Sequence, residues 1–290
     1  MDTIILTDSS CDLPLELIKD NEIAFLSLIC HLSYGDYEDD FGKTLEYKKF
    51  YSSVRNGEMP TTSQINTYSF EKAFKKYVNE GKSIIYIGMS SAMSGCTNSA
   101  IIAKNQLLEE MPNADITIID SKSASIGEGL LVLKAAEMRK NGYSKEEIIN
   151  WLEENKSKMN HWFIVDNLMH LKRGGRLSYT AATIGTILNI KPIISINNKG
   201  ELINTYSIRG RKKAIKTLIK LFEEHCFHPE NEVVAISHGD CLDDALYLKE
   251  LLLKEFNVKD VIISYVGPVI GSHTGAEMLS LCFLGKERTL

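Results

Sequence analysis

Gly88-Met89-Ser90-Ser91-Ala92-Met93-Ser94-Gly95-Cys96-Thr97-Asn98-Ser99-Ala100 is the stretch around which this chain is organised. The apolar, β-branched run Ile84-Ile85-Tyr86-Ile87 stops at small hydroxylated residues, and a helix-compatible run follows from Thr97 through Leu108. The order is strand, tight loop, helix. A helix start leaves backbone N–H groups unpaired and carries a partial positive charge, so a Ser-rich loop there offers hydroxyls and amides to an anionic oxygen. The stretch contains no Lys, Arg or metal-ligand cluster. A weakly charged head group such as a carboxylate therefore suits it better than a triphosphate. The ordinary alternative is that Ser91 or Ser94 only caps the helix.

The flanking sequence repeats the unit. Upstream, Thr3 to Thr7 runs into Asp8-Ser9-Ser10-Cys11-Asp12, and a helix follows with Asp12 as its N-cap candidate and Pro14 in the first turn. A second apolar run, Ile23 to Leu32, precedes the acidic loop Asp36-Tyr37-Glu38-Asp39-Asp40, which reads as solvated charge without a role. A short helix around Tyr47 to Val54 leads to Thr61-Thr62-Ser63-Gln64. In the next helix Phe70, Ala73, Phe74, Tyr77 and Val78 form a core stripe. Downstream, Ile116 to Ile119 ends in Asp120-Ser121, an amphipathic helix covers Gly129 to Met138, and Ser144 to Glu147 has capping-box spacing. Alternating strands and helices predict a parallel sheet, with ligands beyond the carboxyl ends of its strands. Asp8-Ser9-Ser10, Ser90 to Ser94 and Asp120-Ser121 share that rim.

The pattern changes near residue 160. Phe163-Ile164-Val165 reads as a strand, Asn167 to Leu171 as a short helix, and Lys172-Arg173-Gly174-Gly175-Arg176-Leu177-Ser178 as a Gly-broken basic loop. Small residues fill Thr180 to Thr186. Two strands flank the turn Asn197-Asn198-Lys199-Gly200, a hairpin signal that predicts antiparallel pairing. Helices over 210–224 and 242–255, strands at Val233 to Ser237 and Val261 to Tyr265, and a Gly-rich end from Gly267 to Gly275 follow. The expectation is an α/β protein of two α/β domains. Residues 1–160 form a parallel sheet with flanking helices, and residues 161–290 a mixed sheet.

Composition narrows the function. The 290 residues carry a formal net charge of −5, which argues against a general nucleic-acid binder. No apolar run reaches membrane-spanning length and no secretory signal is evident, so the expected location is cytoplasmic. The six cysteines lie apart, without a C-x-x-C pair, and read as reduced, packed thiols. Nucleotide-binding glycine motifs are missing, and His225 and His228 have no further ligands at metal-site spacing. No cofactor and no metal are therefore expected. A serine hydrolase, with Ser91 or Ser94 as nucleophile and His273 and Asp240 or Asp8 as partners, is the alternative, although neither serine sits in a G-x-S-x-G motif.

Several motifs taken in order resemble the DegV family: Thr7 to Leu13, Thr62-Ser63-Gln64, Ser90 to Gly95, Asp120-Ser121-Lys122, Leu171 to Ser178, Asn189 to Ile193 and Gly267 to Gly275. The resemblance spans nearly the whole chain. It implies two α/β domains enclosing a long-chain fatty acid, the tail in an apolar tunnel and the carboxylate held by hydroxyls at Thr62 and Ser94. It also implies that His273 belongs to the head-group network. By the same resemblance the protein is a bacterial carrier, the binding subunit that presents the carboxyl group to a separate ATP-dependent fatty acid kinase subunit. Two departures stand out: Ile65 replaces the usual proline after Thr-Ser-Gln, and Cys96-Thr97 replaces the usual Thr-Tyr, so the tunnel entrance or chain preference is expected to differ.

A basic patch adds a possible partner surface. Arg173 and Arg176 flank Gly174-Gly175, while Arg209, Arg211, Lys212 and Lys213 gather at a helix start, where cations oppose the helix dipole. Beside the plain reading as solvated charge, the patch suggests a docking surface. The resemblance links Arg209 to the kinase contact, and Arg173 is the second residue expected to steer that partner.

Overall fold

The computed structural model describes residues 2–166, 168–177 and 189–289. Thr180 to Thr186, Ser178 and Asn167 lie outside the described residues.

The N-terminal half runs β1 (Thr3–Asp8), α1 (Leu15–Asp20), β2 (Ala24–Leu26), β3 (Ile29–Leu32), β4 (Gly35–Glu38), α2 (Tyr47–Arg55), β5 (Thr61–Ser63), α3 (Thr67–Asn79), β6 (Ser83–Gly88), α4 (Cys96–Glu110), β7 (Ile116–Asp120), α5 (Ser125–Lys140) and α6 (Lys145–Asn155). Strands β2, β1, β6 and β7 lie in that order in a parallel sheet, with Ile5 opposite Ile85 and Ile85 opposite Thr117. β1 and β6 are buried along their whole length because helices cover both faces, which is why they read as unbroken apolar runs.

The rest continues with β8 (Met159–Ile164), α7 (Met169–Arg173), β9 (Ile190–Ile196), β10 (Leu202–Arg209), α8 (Arg211–His225), β11 (Val233–His238), α9 (Leu242–Glu255), β12 (Asp260–Tyr265), α10 (Pro268–Thr274) and β13 (Leu279–Leu284). These strands form a mixed sheet in the order β10, β9, β8, β13, β11, β12, in which β11 and β12 are parallel and the other pairs antiparallel. The fold is therefore mixed α/β with a parallel and a mixed sheet, and the hairpin at Asn197 to Gly200 joins β9 to β10 as its turn residues indicate.

Several local readings are corrected. Ile23 to Leu32 is not one element: β2 joins the parallel sheet, whereas β3 pairs with β4 and β5 in a separate small antiparallel sheet. The acidic loop is only partly solvated, since Asp39 is 1% exposed and accepts a hydrogen bond from Val269 N–H. Asp12 caps nothing in α1. It sits at φ 50° and reaches across the molecule to accept from Gly267 N–H at 2.8 Å and from the Ser125 hydroxyl. The helix α5 is not amphipathic. It lies between the two large sheets, with Ile126, Leu131, Val132 and Ala135 fully buried in a core that takes Ile5 and Ile87 from one sheet and Ala235 and Cys282 from the other. β13, a central strand, has no counterpart in the sequence reading. The capping box at α6 is present, Ser144 N–H donating to Glu147 at 2.7 Å and Glu147 N–H to the Ser144 hydroxyl at 3.2 Å.

Candidate functional site

A cavity of about 360 Å³ lies between the serine loop, the small sheet, α10 and the inner face of the mixed sheet. Thr62, Ser94, Arg176 and His273 contribute polar groups to its wall, while Leu28, Met93, Phe163, Ile196, Leu202 and Val269 contribute apolar ones.

Thr62 is the middle residue of β5, paired opposite Cys30. Alternation along the strand sends its side chain to the face opposite that of Thr61 and Ser63. Its Oγ1 lies 2.9 Å from His273 Nε2. On the outer face His31 ties β5 down: Nε2 is 2.6 Å from Ser63 Oγ and Nδ1 is 2.7 Å from Asp36. Gln64 continues the motif into the serine loop. Its amide donates to Ser99 Oγ at 2.9 Å and packs flat on Gly95, where any side chain would collide with it. The Thr-Ser-Gln and Ser-Gly motifs are thus two halves of one contact.

Gly95, not Ser91 or Ser94, occupies the N-cap of α4, and no side chain caps it. Ser91 turns away to Asp120, its hydroxyl donating at 2.5 Å. Ser94 Oγ accepts from Cys96 N–H at 3.3 Å, which leaves its own hydrogen to donate to a ligand oxygen. The other two rim loops do not line the cavity. Asp8 is buried and takes hydrogen bonds from Tyr86, Ser10 and Met89, and burial raises its carboxyl above the usual range.

His273 comes from α10, in the other half of the chain. Burial, then Arg176, Arg173 and His170, push it down to about 4, so the imidazole is neutral at physiological pH. Arg176 was read as part of an outward basic loop. The turn at Gly175, φ +70°, instead folds it back, and its Nε donates to Met93 O at 3.0 Å on the serine loop. No local signal in the sequence marks that return.

The mixed-sheet wall is set by register. Phe163 and His161 on β8 stand opposite Ser280 and Cys282 on β13. His161 donates from Nδ1 to Met159 O at 3.0 Å, and burial with the nearby Arg288 pushes it down to about 3. Ile65 and Cys96 are buried in the core under α4 rather than in the cavity wall. Burial pushes the Cys96 thiol up to about 12, so it is no nucleophile.

The remaining candidates fall outside this site. Arg173 is exposed at the end of α7, and Arg209 is exposed at the end of β10, about 20 Å along that strand from the cavity residue Leu202. The cations at the head of α8 are not all turned to solvent: Arg211 donates to Asp244 at 2.8 Å, a local ion pair that offsets the helix dipole. Asp240 pairs with Arg55, and His273 with Thr62, so the hydrolase grouping of Ser91 or Ser94 with His273 and Asp240 or Asp8 is not assembled. His225 packs on Trp162 at 5.1 Å, whereas His228 is exposed. Cys241, Asp244 and Glu277 come within 4.8 Å of one another, but Arg211 and Arg55 already pair with the two carboxylates.

Known proteins resemble this chain along nearly its full length. The family model described as "Uncharacterised protein, DegV family" matches residues 2–286. A DegV domain-containing protein of Clostridium perfringens is 48% identical over 285 residues, 98% of either chain. Among solved structures, a DegV family protein from Thermus thermophilus, described for its fatty acid binding, superposes with a TM-score of 0.89 at 28% identity, covering 99% of this chain and 100% of that one. DegV of Bacillus subtilis, described as a fatty acid binding protein, gives a TM-score of 0.85 at 34% identity with the same coverage.

Proposed function

We propose that this chain, which belongs to the DegV family, binds a long-chain fatty acid in the cavity, with the carboxylate on Thr62 Oγ1 and Ser94 Oγ and with His273 behind Thr62. The observation that carries the reading is the composition of the wall: hydroxyls from two different elements, Thr62 and Ser94, line one cavity with a set of apolar side chains that includes Leu28, Met89, Met93, Phe163, Ile196, Leu202 and Val269. Hydroxyl donors hold a carboxylate without the tight ion pair that would hinder chemistry on the same group. The two lobes that enclose the acid are residues 1–160 and 161–290.

The protein then acts as a carrier rather than a catalyst, presenting the carboxyl group to a separate ATP-dependent kinase subunit, with Arg173 and Arg209 guiding that partner. The partner's need for ATP assigns the complex to the cytoplasm. Among the described residues no helix is long and apolar enough to cross a membrane.

The test is native mass spectrometry of protein purified from a lipid-containing host, followed by extraction. The expected result is one fatty acid per chain. Folded, lipid-free protein that also fails to take up added fatty acid would overturn the reading.

A further inference from the structure

The wall of the cavity does not stay apolar to its end. Along β13 the inward residues are Met278, just ahead of the strand, then Ser280 and Cys282, and Phe163 and His161 on β8 stand opposite the last two. Met278 packs with Leu171 and Leu177, the neighbours of the head-group residue Arg176, whereas Cys282 packs in the core around α5. Four residues of extended chain, at roughly 3.3 Å each, put these ends about 13 Å apart. His161 and Cys282 therefore lie where a tail reaches, away from Thr62 and Ser94.

The other polar groups at this deep end have partners. Ser280 Oγ lies 2.7 Å from Ser237 Oγ and accepts from Ser237 N–H at 3.2 Å, the Ser125 hydroxyl donates to Asp12, and Cys282 Sγ donates to Ser280 Oγ at 4.0 Å. His161, only 3% exposed, is different. Its Nδ1 lies 3.0 Å from Met159 O, a carbonyl that can only accept, so the neutral ring presents Nε2 as a bare acceptor. Among the described residues nothing meets that nitrogen. The two ring nitrogens point widely apart. With Nδ1 turned back along β8 to Met159, Nε2 faces forward, toward Phe163 and the cavity. Gly127 covers the face of the ring: a methyl there would lie 2.1 Å from Nε2 but also 2.6 and 2.9 Å from Cδ2 and Cε1, closer to both carbons than a point in line with the lone pair. The glycine fixes the ring and leaves its edge open.

We infer that His161 is a specificity-determining residue for a hydroxyl on the acyl chain, so that the cavity takes hydroxylated fatty acids, the carboxylate on Thr62 and Ser94 and the chain hydroxyl donating to His161 Nε2. The inference rests on the reading of the cavity as a fatty-acid site. A buried acceptor without a donor destabilises the protein, and a buried hydroxyl without an acceptor weakens binding; their pairing removes both penalties. A cavity shaped only for a plain alkyl tail gains nothing from an imidazole, since Leu or Phe would fill the same wall without an orphaned atom. Protonation does not compete for the lone pair at physiological pH, because burial and Arg288 hold the ring down to about 3.

The experiment measures, on the delipidated full chain, the affinity of hexadecanoic acid and of a series of monohydroxyhexadecanoic acids with the hydroxyl at successive carbons of the distal half. A hydroxyl against an apolar wall is expected to weaken binding about tenfold or more, whereas the isomer whose hydroxyl reaches His161 should bind at least as tightly as the plain acid. His161→Leu should bring that isomer down to the level of its neighbours. If the plain acid binds and every hydroxylated isomer binds about tenfold or more weakly, the role of His161 is refuted while the fatty-acid reading stands. A favoured isomer that keeps its advantage in His161→Leu would also refute it. Failure of the plain acid and of the whole series to bind would refute the fatty-acid reading itself. The parent's profile across the series decides the matter even where the variant fails to fold.

Discussion

Replacing Ser94 by Ala together with Thr62 by Val removes the two hydroxyls proposed to hold the carboxylate and leaves the shape of the wall nearly unchanged. Hydrogen bonds to a charged group are worth about 1.5–3 kcal/mol each, so the pair supplies about 3–6 kcal/mol, a loss of about 10² to 10⁴ in affinity. Thr62 should account for the larger share. Its oxygen lies 2.9 Å from His273 Nε2, and when its own proton goes to the carboxylate it must accept from that nitrogen. Val at 62 thus breaks the bond to the ligand and also orphans a buried imidazole nitrogen. Ser94 leaves behind only Cys96 N–H at 3.3 Å, in the first turn of α4, where water can replace it. The assay is isothermal titration with a delipidated sample of each single variant and the double variant, alongside thermal unfolding to confirm the fold. Unchanged affinity in the double variant would mean that the tail alone determines binding and that the head-group assignment is wrong.

Asp12→Asn should stabilise the protein progressively as pH rises. Burial raises the Asp12 carboxyl to about 7 from an ordinary 3.8, so the folded state keeps a proton that the unfolded state releases, and stability falls as pH climbs through that window, by about 4 kcal/mol at most. Denaturation midpoints of parent and variant should agree near pH 4 and diverge up to pH 8, and a difference independent of pH would refute this. Charge reversal at Arg173 and Arg209 to Glu should slow acyl-phosphate formation with the cognate kinase about tenfold at low salt and make the remaining rate less sensitive to ionic strength, with fatty-acid retention unchanged; full activity would remove the docking role.

Much of this architecture was legible from local signals, and the failures have a common cause. β1, β6 and β7 are apolar runs that end in polar loops, and the helices between them carry caps or stripes, so their alternation could be read directly. β4 and β5, Gly35–Glu38 and Thr61–Ser63, have no apolar alternation at all and are strands only because β3 lies between them. β13 is apolar on both faces, closely follows a Gly-rich segment and lacks a period of its own. α5 misled in the opposite way, since a helix between two sheets is buried over most of its circumference, with only Lys134, Glu137 and the last turn reaching solvent. At the site, Thr62 and Ser94 stand in motifs that sequence can show, and His273 entered by resemblance. Arg176 could not be placed, because the two glycines before it allow the chain to point outward or back, and only packing against Met93 decides.

The sources of the head-group contacts bear on how the site works. Thr62 belongs to the small antiparallel sheet, Ser94 to the loop after the parallel sheet, and His273 and Arg176 to segments between strands of the mixed sheet. The bond from Thr62 to His273 spans 211 residues of sequence. Both hydroxyls proposed to hold the carboxylate, Thr62 and Ser94, come from residues 1–160, while the other half contributes His273 behind Thr62 and the mixed-sheet side of the cavity wall. Under the proposed reading a ligand in the cavity would touch both halves, and its binding free energy would add to the stability of the folded chain. A site built on one loop would allow release by loop motion alone. Here a parting of the small sheet from α10 would break the Thr62–His273 bond as well as expose apolar wall to water. Should a partner trigger release, as the proposed carrier role requires, separating the small sheet from α10 is the step it would have to promote.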